Sequence, residues 1–319
     1  MFGHRPDGKL VRTHDGLYTL MPHVLDKRVD SMNFTEFNVD MQELDDFIHA
    51  EQQKTGIVYT YLEILASAVI RTIHLRPDLN RFVVNKRIYQ RDGIYFSMAF
   101  QKTLKKGIES TETTKKFRFE GYENIEQIHN MIHEGLKESK AEANTTDKLC
   151  KTLASIPNWL MNFAVGMIKF LDRFGMLPKS VMDAEPFHTT FFITDMRSLK
   201  TPAIYHHVYE FGTTGLFLST GTEKCEPSFN RDGTVSYKRV MPVKFVSDER
   251  FCDGYYFAKS LKMVQRLLHN PNALVCELEP PVKPLTKKEL KAKKKEEKKA
   301  SKLAKDTKEV KETTEEDQE

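Results

Sequence analysis

The chain has 319 residues, of which 39% are hydrophobic and 29% are charged. Its 49 Lys and Arg residues nearly balance 45 Asp and Glu residues. Residues 283–319 contain 13 Lys and 10 acidic residues, which leaves 36 basic and 35 acidic residues elsewhere. Because the rest of the chain is nearly neutral, a nucleic-acid surface spread over the fold is not expected, and we predict no nucleic-acid partner.

The first half of the chain predicts short strands around two helices. Residues 34–39 alternate apolar and polar side chains, which indicates a strand. Asp40 has the pattern of a helix N-cap with Glu43 as its capping-box partner, which predicts a helix over 41–53. A longer apolar helix over 58–75 ends before Pro77, because the residue before proline avoids the helical region. Further strands are predicted at 82–84, 88–89 and, after an Asp-Gly turn, 94–100.

The second half of the chain continues the mixed pattern. Helical spacing extends from Ile125 to Leu136, and residues 147–177 predict two helices broken at Pro157. An apolar stripe predicts a helix over 255–268. Strands are predicted at 187–193, 216–220 and 235–247. The sum predicts an α/β fold, followed from Lys283 by a Lys/Glu-rich low-complexity tail that is either disordered or a lone charged helix.

The cysteines, histidines and apolar stretches exclude several other classes of protein. The four cysteines form no Cys-x-x-Cys pair, which predicts reduced thiols in a cytoplasmic protein. No secretory signal is predicted at the N-terminus. The eleven histidines show no zinc-ligand spacing, so neither a metal nor a tightly bound cofactor is predicted. The most apolar stretch, 156–177, is interrupted by Asn, Lys, Asp and Arg and is not predicted to span a membrane.

Residues 241–255 carry the most informative motif, MPVKFVSDERFCDGY. A strand that begins with Met-Pro and leads to Asp-Gly and a helix resembles the signature of the chloramphenicol acetyltransferase and dihydrolipoyl acyltransferase superfamily, in which His-x-x-x-Asp-Gly follows the strand. Residues 190–196, 201–202 and 76–80 resemble further segments of that family in the same order. The resemblance extends over about 20–272, with an expanded helical insert at about 105–185.

The resemblance implies a fold, a chemistry and an assembly. It implies an α+β two-layer sandwich, in which helices cover a mixed sheet, as a catalytic domain over 1–282 ahead of the 283–319 tail. In the family, a histidine base takes a proton from a small hydroxyl, amine or thiol acceptor, which attacks the thioester of acyl-CoA or acyl-lipoamide. A Ser or Thr hydroxyl stabilises the oxyanion, and the sites lie between the subunits of a homotrimer.

Four residues carry these roles by resemblance. Thr194 matches the oxyanion hydroxyl, Asp253 matches the structural aspartate of Asp-Gly, and Arg28 is its expected partner. Glu249 occupies the position of the histidine base. An exposed Glu has a pKa of about 4.3, and a general base at neutral pH needs a value nearer 6–7. Two interpretations of Glu249 therefore remain. It is either a functional residue, as a general base with a raised pKa or as a contact to the substrate, or a carboxylate in a site that has lost its activity.

Other side chains remain alternatives for the base or for partner contacts. His188, His206 or His207 could replace the missing histidine, although lone histidines are more often structural. Cys252 matches a packed thiol of the family. The large apolar residues of 156–177 fit packing in the core or against a subunit, or else an interfacial membrane contact.

The predicted function is transfer of an acyl group, such as acetyl, from the cosubstrate acyl-CoA to a small-molecule acceptor. The alternative is a catalytically inactive trimeric binding or regulatory module on the same scaffold, that is, a pseudoenzyme.

Overall fold

The structure is a computed structural model that describes residues 4–12, 16–101, 112–141, 152 and 155–279. The chain divides into two units, Met1–Leu278 and Glu279–Glu319. All but the first residue of the second unit lies outside the described residues, and so does the tail predicted from Lys283.

The described residues form helices and short strands along the whole of the first unit. The strands are β1 (His4–Arg5), β2 (Gly8–Leu10), β3 (Met32–Asp40), β4 (Arg81–Val84), β5 (Arg87–Arg91), β6 (Ile94–Gln101), β7 (Glu112–Phe119), β8 (Phe191–Asp195), β9 (Leu216–Thr220), β10 (Lys224–Phe229) and β11 (Val235–Asp248). The helices are α1 (Gly16–Val24), α2 (Met41–Thr55), α3 (Tyr61–Leu75), α4 (Ile125–Ala141), α5 (Asn158–Arg173), α6 (Lys179–Ala184) and α7 (Gly254–His269).

A mixed seven-stranded sheet forms the body of the unit. Strands β7, β6, β8, β9 and β11 lie side by side in that order. Strand β8 is parallel to both of its neighbours, whereas the other pairs are antiparallel. The far edge of β11 pairs first with β10 and then with β3. A second, antiparallel sheet has the order β1-β2-β5-β4. The α/β architecture, with helices against a mixed sheet, confirms the predicted fold class.

Helix α3 lies in the core because it is apolar on almost every face. Eleven of its residues are buried, from Glu63 to Ile73, and a helix that is apolar all round is stable only when it is enclosed. It packs against α7 and α4 and touches the sheet at β6. On the sheet, the rings of Phe96 and Phe191 stack with centroids 5.0 Å apart. These contacts fix the ends of the strands that carry the candidate site residues.

Helix α3 begins at a capping box, which gives a first prediction. The Thr60 hydroxyl accepts from the Glu63 amide at 3.2 Å, and the Glu63 carboxylate accepts from the Thr60 amide at 2.8 Å. Thr60→Ala is expected to lower the free energy of unfolding by about 1 kcal/mol, because it removes a cap. Urea denaturation measures the change. Val58→Ala, an exposed change just before the helix, should stay within about 0.5 kcal/mol, and an equal loss in both variants would contradict the assignment.

The strand predicted at 187–193 is wrong over its first residues, since β8 begins at Phe191. The amides of Phe187 and His188 donate to the Glu185 carboxylate instead of to a neighbouring strand. The Phe187 carbonyl accepts from the amides of Thr213 and Thr214. A turn therefore takes the hydrogen bonds that a strand would need. The helix predicted before Pro157 lies outside the described residues apart from residues 152, 155 and 156.

Candidate functional site

Glu249 lies directly after the last residue of β11 and is held against β3. Its amide donates to the Ser31 carbonyl at 2.9 Å, which extends the β3–β11 ladder by one residue. Its Oε2 accepts a hydrogen bond from the Asn33 side-chain amide at 2.8 Å. The carboxylate is half-buried. Glu249 is thus fixed as a hydrogen-bond acceptor beside the edge of the sheet.

The neighbouring Asp248 is the buried anion of the site. Arg250 donates to both of its oxygens, at 2.9 and 2.7 Å, and Ser31 Oγ donates to Oδ1 at 3.0 Å. Arg28 Nε lies 3.4 Å from Oδ2, without hydrogen-bond geometry. Burial raises the pKa of Asp248, but the hydrogen bonds and charge of Arg250, with the charge of Arg28, outweigh burial and hold it below its usual value. Asp248 is therefore ionised and paired in the folded protein.

The pairing of Arg28 with Asp253, expected from the resemblance, is wrong. The buried Arg28 lies against Asp248, and its guanidinium donates to the carbonyls of Tyr209 and Gly212 at 2.5 and 3.2 Å. Asp253 is instead exposed and caps α7, where it accepts from the Tyr256 amide at 2.7 Å, because the first turn of a helix has unpaired amides.

Asp253 also ties the N-terminal helix to α7. Its second oxygen accepts from the Tyr18 hydroxyl at 2.7 Å. The hydrogen bonds from Tyr18 and from the Tyr256 amide lower the pKa of Asp253. Burial and the hydrogen bond to Asp253 raise the pKa of Tyr18 to about 12. The contacts of Asp253 are thus local ones, to Tyr18 and to the first turn of α7.

Thr194 lies near the end of β8 and does not meet Glu249 within one chain. It is opposite Ser219 on β9, which is opposite Lys244 on β11. Lys244 precedes Glu249 by five positions, so the two backbones are separated by about 16 Å along the strands and about 10 Å across them. The half-buried Thr194 hydroxyl has a contact with Met196 Sδ at 3.8 Å. Any reaction that uses both side chains therefore needs a second chain.

The histidines named as alternative bases are engaged elsewhere. His188 is buried, and its ring nitrogens lie 2.5 Å from Glu185 Oε1 and 3.0 Å from Asp172 Oδ1. Burial lowers the pKa of His188, but its bonds to the two carboxylates outweigh burial and raise it. A histidine held protonated in this way is a poor base. His206 stacks on Phe217 at 4.0 Å, and His207 is exposed.

Cys252 is a packed thiol, as expected. It is buried, and burial together with the charge of Asp253 raises its pKa to about 12. It therefore lacks the thiolate character of a nucleophile.

A cleft of about 530 Å³ opens beside the buried ion group and is lined by Arg28, Arg250, Lys86 and Lys169 among others. Two further clefts measure about 440 and 620 Å³. Neither Glu249 nor Thr194 lines any of these three clefts.

Within the described ranges, no group of three or more His, Cys, Asp or Glu side chains is arranged to hold a metal ion. No helix in the described part of the chain has the length and apolar character needed to cross a bilayer.

No protein-family profile matches the chain, and no curated protein matches it. Solved structures do match. A probable dihydrolipoamide acetyltransferase from Listeria monocytogenes 4b F2365 is 15% identical over 82% of this chain and 94% of its own, with a TM-score of 0.50. The dihydrolipoamide acetyltransferase of Azotobacter vinelandii is 14% identical over 81% and 88%, with a TM-score of 0.51. The chain has the fold of these acetyltransferase catalytic cores.

The structural likeness confirms the expected fold, and at this identity it shows the fold alone. A chloramphenicol acetyltransferase also matches, at 12% identity over 82% of this chain and 99% of its own, with a TM-score of 0.48. The Azotobacter structure was determined to investigate a serine, a histidine and an asparagine in the catalytic mechanism of that enzyme.

Sequence reasoning missed Asp248 and Asn33, the residues that organise the position of Glu249. Asp248 ends a strand whose preceding residues are mostly buried, and Arg250 follows two residues later. A charged residue at the buried end of a strand needs a partner, and that rule could have singled it out. Asn33 gave no such signal, because its role follows only from the register of β3 on β11.

Proposed function

We propose that the protein is an acyl-CoA-dependent acyltransferase that works as a homotrimer, with Glu249 in place of the family's histidine base. The observation that carries the proposal is the state of the Glu249 carboxylate. Asn33 orients it by a hydrogen bond at 2.8 Å, and Arg250 donates to Asp248 instead. Glu249 is thus oriented, while the adjacent Arg250 is bound to Asp248, and in the proposed reaction Glu249 accepts a proton from a bound acceptor.

The separation of Thr194 from Glu249 supports a site shared between subunits. Two side chains at distant points of one sheet can act together only if a neighbouring copy presents one of them. In the acyltransferase family that this chain resembles, the base and the oxyanion hydroxyl come from different subunits. The proposed site therefore combines Glu249 of one subunit with Thr194 of the next.

The proposed reaction is acyl transfer to a small hydroxyl, amine or thiol. Glu249 takes the proton of the acceptor while the acceptor atom attacks the thioester carbonyl. The Thr194 hydroxyl donates to the resulting oxyanion. Collapse of the intermediate breaks the C–S bond, and the proton passes to the departing CoA thiolate. General-base catalysis contributes about 10²–10⁴ in rate, and one oxyanion donor contributes about 10²–10³.

Glu249→Gln tests the proposal. We expect release of CoA thiol from acetyl-CoA, in the presence of a panel of small acceptors, to fall by about 10²–10⁴, because the amide cannot accept the proton. Thr194→Ala should cost about 10²–10³. The matched control is Glu226→Gln, since Glu226 also accepts from an asparagine of β3, Asn38, at 2.7 Å. Equal losses in Glu249→Gln and Glu226→Gln would contradict a special role for Glu249.

The second candidate is a binding or regulatory module without turnover. The observation that favours it concerns His188, the most buried of the candidate replacement bases. Both of its ring nitrogens are bound to carboxylates, which raise its pKa and leave no nitrogen free to act as a base. Calorimetric titration of the full chain with acetyl-CoA separates the candidates. Saturable binding without thiol release, unchanged in Thr194→Ala, would support the module. Absence of binding at millimolar CoA would exclude the CoA-dependent enzyme.

A further inference from the structure

Helix α5 turns a continuous row of large apolar side chains toward solvent. The residues recur at helical spacing and continue into the turn after the helix. They are Trp159, Phe163, Met167, Phe170, Phe174 and Met176, with exposed fractions between 41% and 72%. We call this row the α5 stripe. A contiguous row of exposed aromatic side chains is unusual on a soluble surface and marks a contact site.

The exposed charges on α5 and up to the start of α6 are cationic, and the first exposed acidic side chain beyond them is Asp183 of α6. Lys169, Arg173 and Lys179 are exposed beside it. Within residues 156–182, all of which the structure describes, the only acidic side chain is Asp172. Asp172 is buried, and it accepts from Arg5 at 2.7 Å and lies 3.0 Å from His188. The exposed part of this segment therefore carries apolar and cationic side chains, with Asn158, Asn162 and Ser180 as uncharged polar ones.

Helix α1 adds a second apolar row near the first. Leu17, Leu20 and Val24 are each more than half exposed. Pro22 of α1 lines the same 530 Å³ cleft as Lys169 and Arg173 of α5. Helices α1 and α5 therefore border one cleft, whose lining also includes Asp26 and Glu210. We call the two apolar rows together the α1–α5 surface.

The excess of cations on α5 favours an anionic occupant over a two-fold contact between copies of the chain. Two copies related by a two-fold axis would press the same patch against itself and bring Lys169 and Arg173 close to their own copies. Like charges in contact oppose such pairing. Anionic lipid headgroups instead complement the cations, while Trp and Phe side chains insert at the level where the acyl chains begin.

From these features we infer that the α1–α5 surface docks on a bilayer that contains anionic lipids. The contact is peripheral: α5 lies in the interface with its stripe toward the acyl chains, and Lys169 and Arg173 reach the phosphates. The bonds of Asp172 to Arg5 and His188 fix α5 to the body of the protein. The inference goes beyond the proposed acyl transfer and does not depend on it.

The chain contains a single tryptophan, which reports on the surface directly. Trp159 is 72% exposed, so its emission in buffer should lie at long wavelength. Vesicles of phosphatidylcholine with 30% phosphatidylglycerol should shift the emission of the full chain to shorter wavelength by on the order of 10 nm, and brominated acyl chains should quench it. Vesicles of phosphatidylcholine alone should bind at least tenfold more weakly, since each cation adds about 1 kcal/mol near an anionic surface.

Two double variants separate the apolar and the charged contributions. Phe163→Ser with Phe170→Ser should weaken vesicle binding at least tenfold, because it removes two inserted rings. Lys169→Gln with Arg173→Gln should weaken binding to anionic vesicles by about 10- to 30-fold. The matched control is Phe229→Ser, which changes an 81% exposed ring at the end of β10 and should bind as the parent does. Circular dichroism checks that each variant is folded.

Three results would overturn the inference. The first is unchanged emission of Trp159 with anionic vesicles. The second is equal binding to both kinds of vesicle, which would remove the role of the charges. The third is a shift to shorter wavelength that grows with protein concentration in the absence of lipid, which would assign the surface to contacts between copies of the chain.

Discussion

Asp248→Asn is expected to lower the free energy of unfolding by about 3–5 kcal/mol, because it removes the carboxylate that forms ion pairs with two buried arginines. Asp248 is 2% exposed and Arg28 is 3% exposed. Arg250 would keep one hydrogen bond to the asparagine oxygen but lose the ion pair. Arg28, whose pKa burial already lowers, would lose its nearest anion. Urea denaturation followed by circular dichroism measures the loss.

The control for this prediction is Asp30→Asn. Asp30 is exposed and lies two residues after Arg28 on the sequence, so its change should stay within about 0.5 kcal/mol. The pKa of Asp248 is lowered, so its contribution is complete above its usual value of about 3.8 and is lost as the pH falls through the lower folded value. A loss below 1 kcal/mol in Asp248→Asn would refute the buried ion group as a structural element.

His188→Gln is expected to cost about 3 kcal/mol of stability, because it leaves the buried carboxylates of Asp172 and Glu185 with one cation fewer. His188 is 2% exposed and bridges the two carboxylates. Arg5 still binds Asp172 in the variant, through Nη2 at 2.7 Å. His207→Gln changes an exposed histidine and serves as the control.

The stabilisation by His188 is expected to depend on pH in a definite direction. Because the pKa of His188 is raised, its contribution is complete below pH 6.5 and is lost as the pH rises through the folded value. Because the pKa of Asp172 is lowered, its contribution is complete above pH 3.8 and is lost on acidification. The difference in stability between the parent and His188→Gln should therefore be largest between about pH 4 and 6.5 and shrink above it.

The nearby Lys116 changes the stability with pH in the direction opposite to His188. The test therefore uses the difference in stability between the parent and His188→Gln. Burial lowers the pKa of Lys116 to about 8, so the folded state gains stability as the pH rises past that value. Both variants keep Lys116, and its effect largely cancels in the comparison. A difference that grew above pH 7 would contradict the assignment of charge to His188.

Elements with local signals were predicted well from the sequence. The alternating residues of β3, the Asp40 cap of α2 and the apolar stripe of α7 each depend on neighbours within a few positions. The Met-Pro strand and Asp-Gly helix start were found for the same reason. The capping box predicted for Asp40 and Glu43 is wrong, since Asp40 accepts from the Gln42 amide and Glu43 forms an ion pair with His269. Strand β8 was predicted too long because Glu185 takes the amides of Phe187 and His188, and apolar composition alone does not reveal that competition.

The contacts of the candidate site could not be predicted in the same way. Arg28 and Asp248 are 220 positions apart, and Arg5 and Asp172 are 167 apart. Nothing within a short window of sequence distinguishes Asp248 from Asp253 as the partner of Arg28. The choice follows from the β3–β11 register, which brings Ser31 and Asp248 together, and a register is set by the whole sheet.

The pairing of β3 with β11 delays the completion of the sheet during synthesis of the chain. Strand β3 is complete at residue 40, but its partner β11 ends only at residue 248. At a synthesis rate of about 5–20 residues per second, β3 waits roughly 10–40 s for that partner. During this interval Arg28 is without Asp248 and the apolar face of β3 is uncovered. The nascent chain therefore presents an unpaired strand for much of its synthesis, and this part of the sheet can close only after most of the unit has been made.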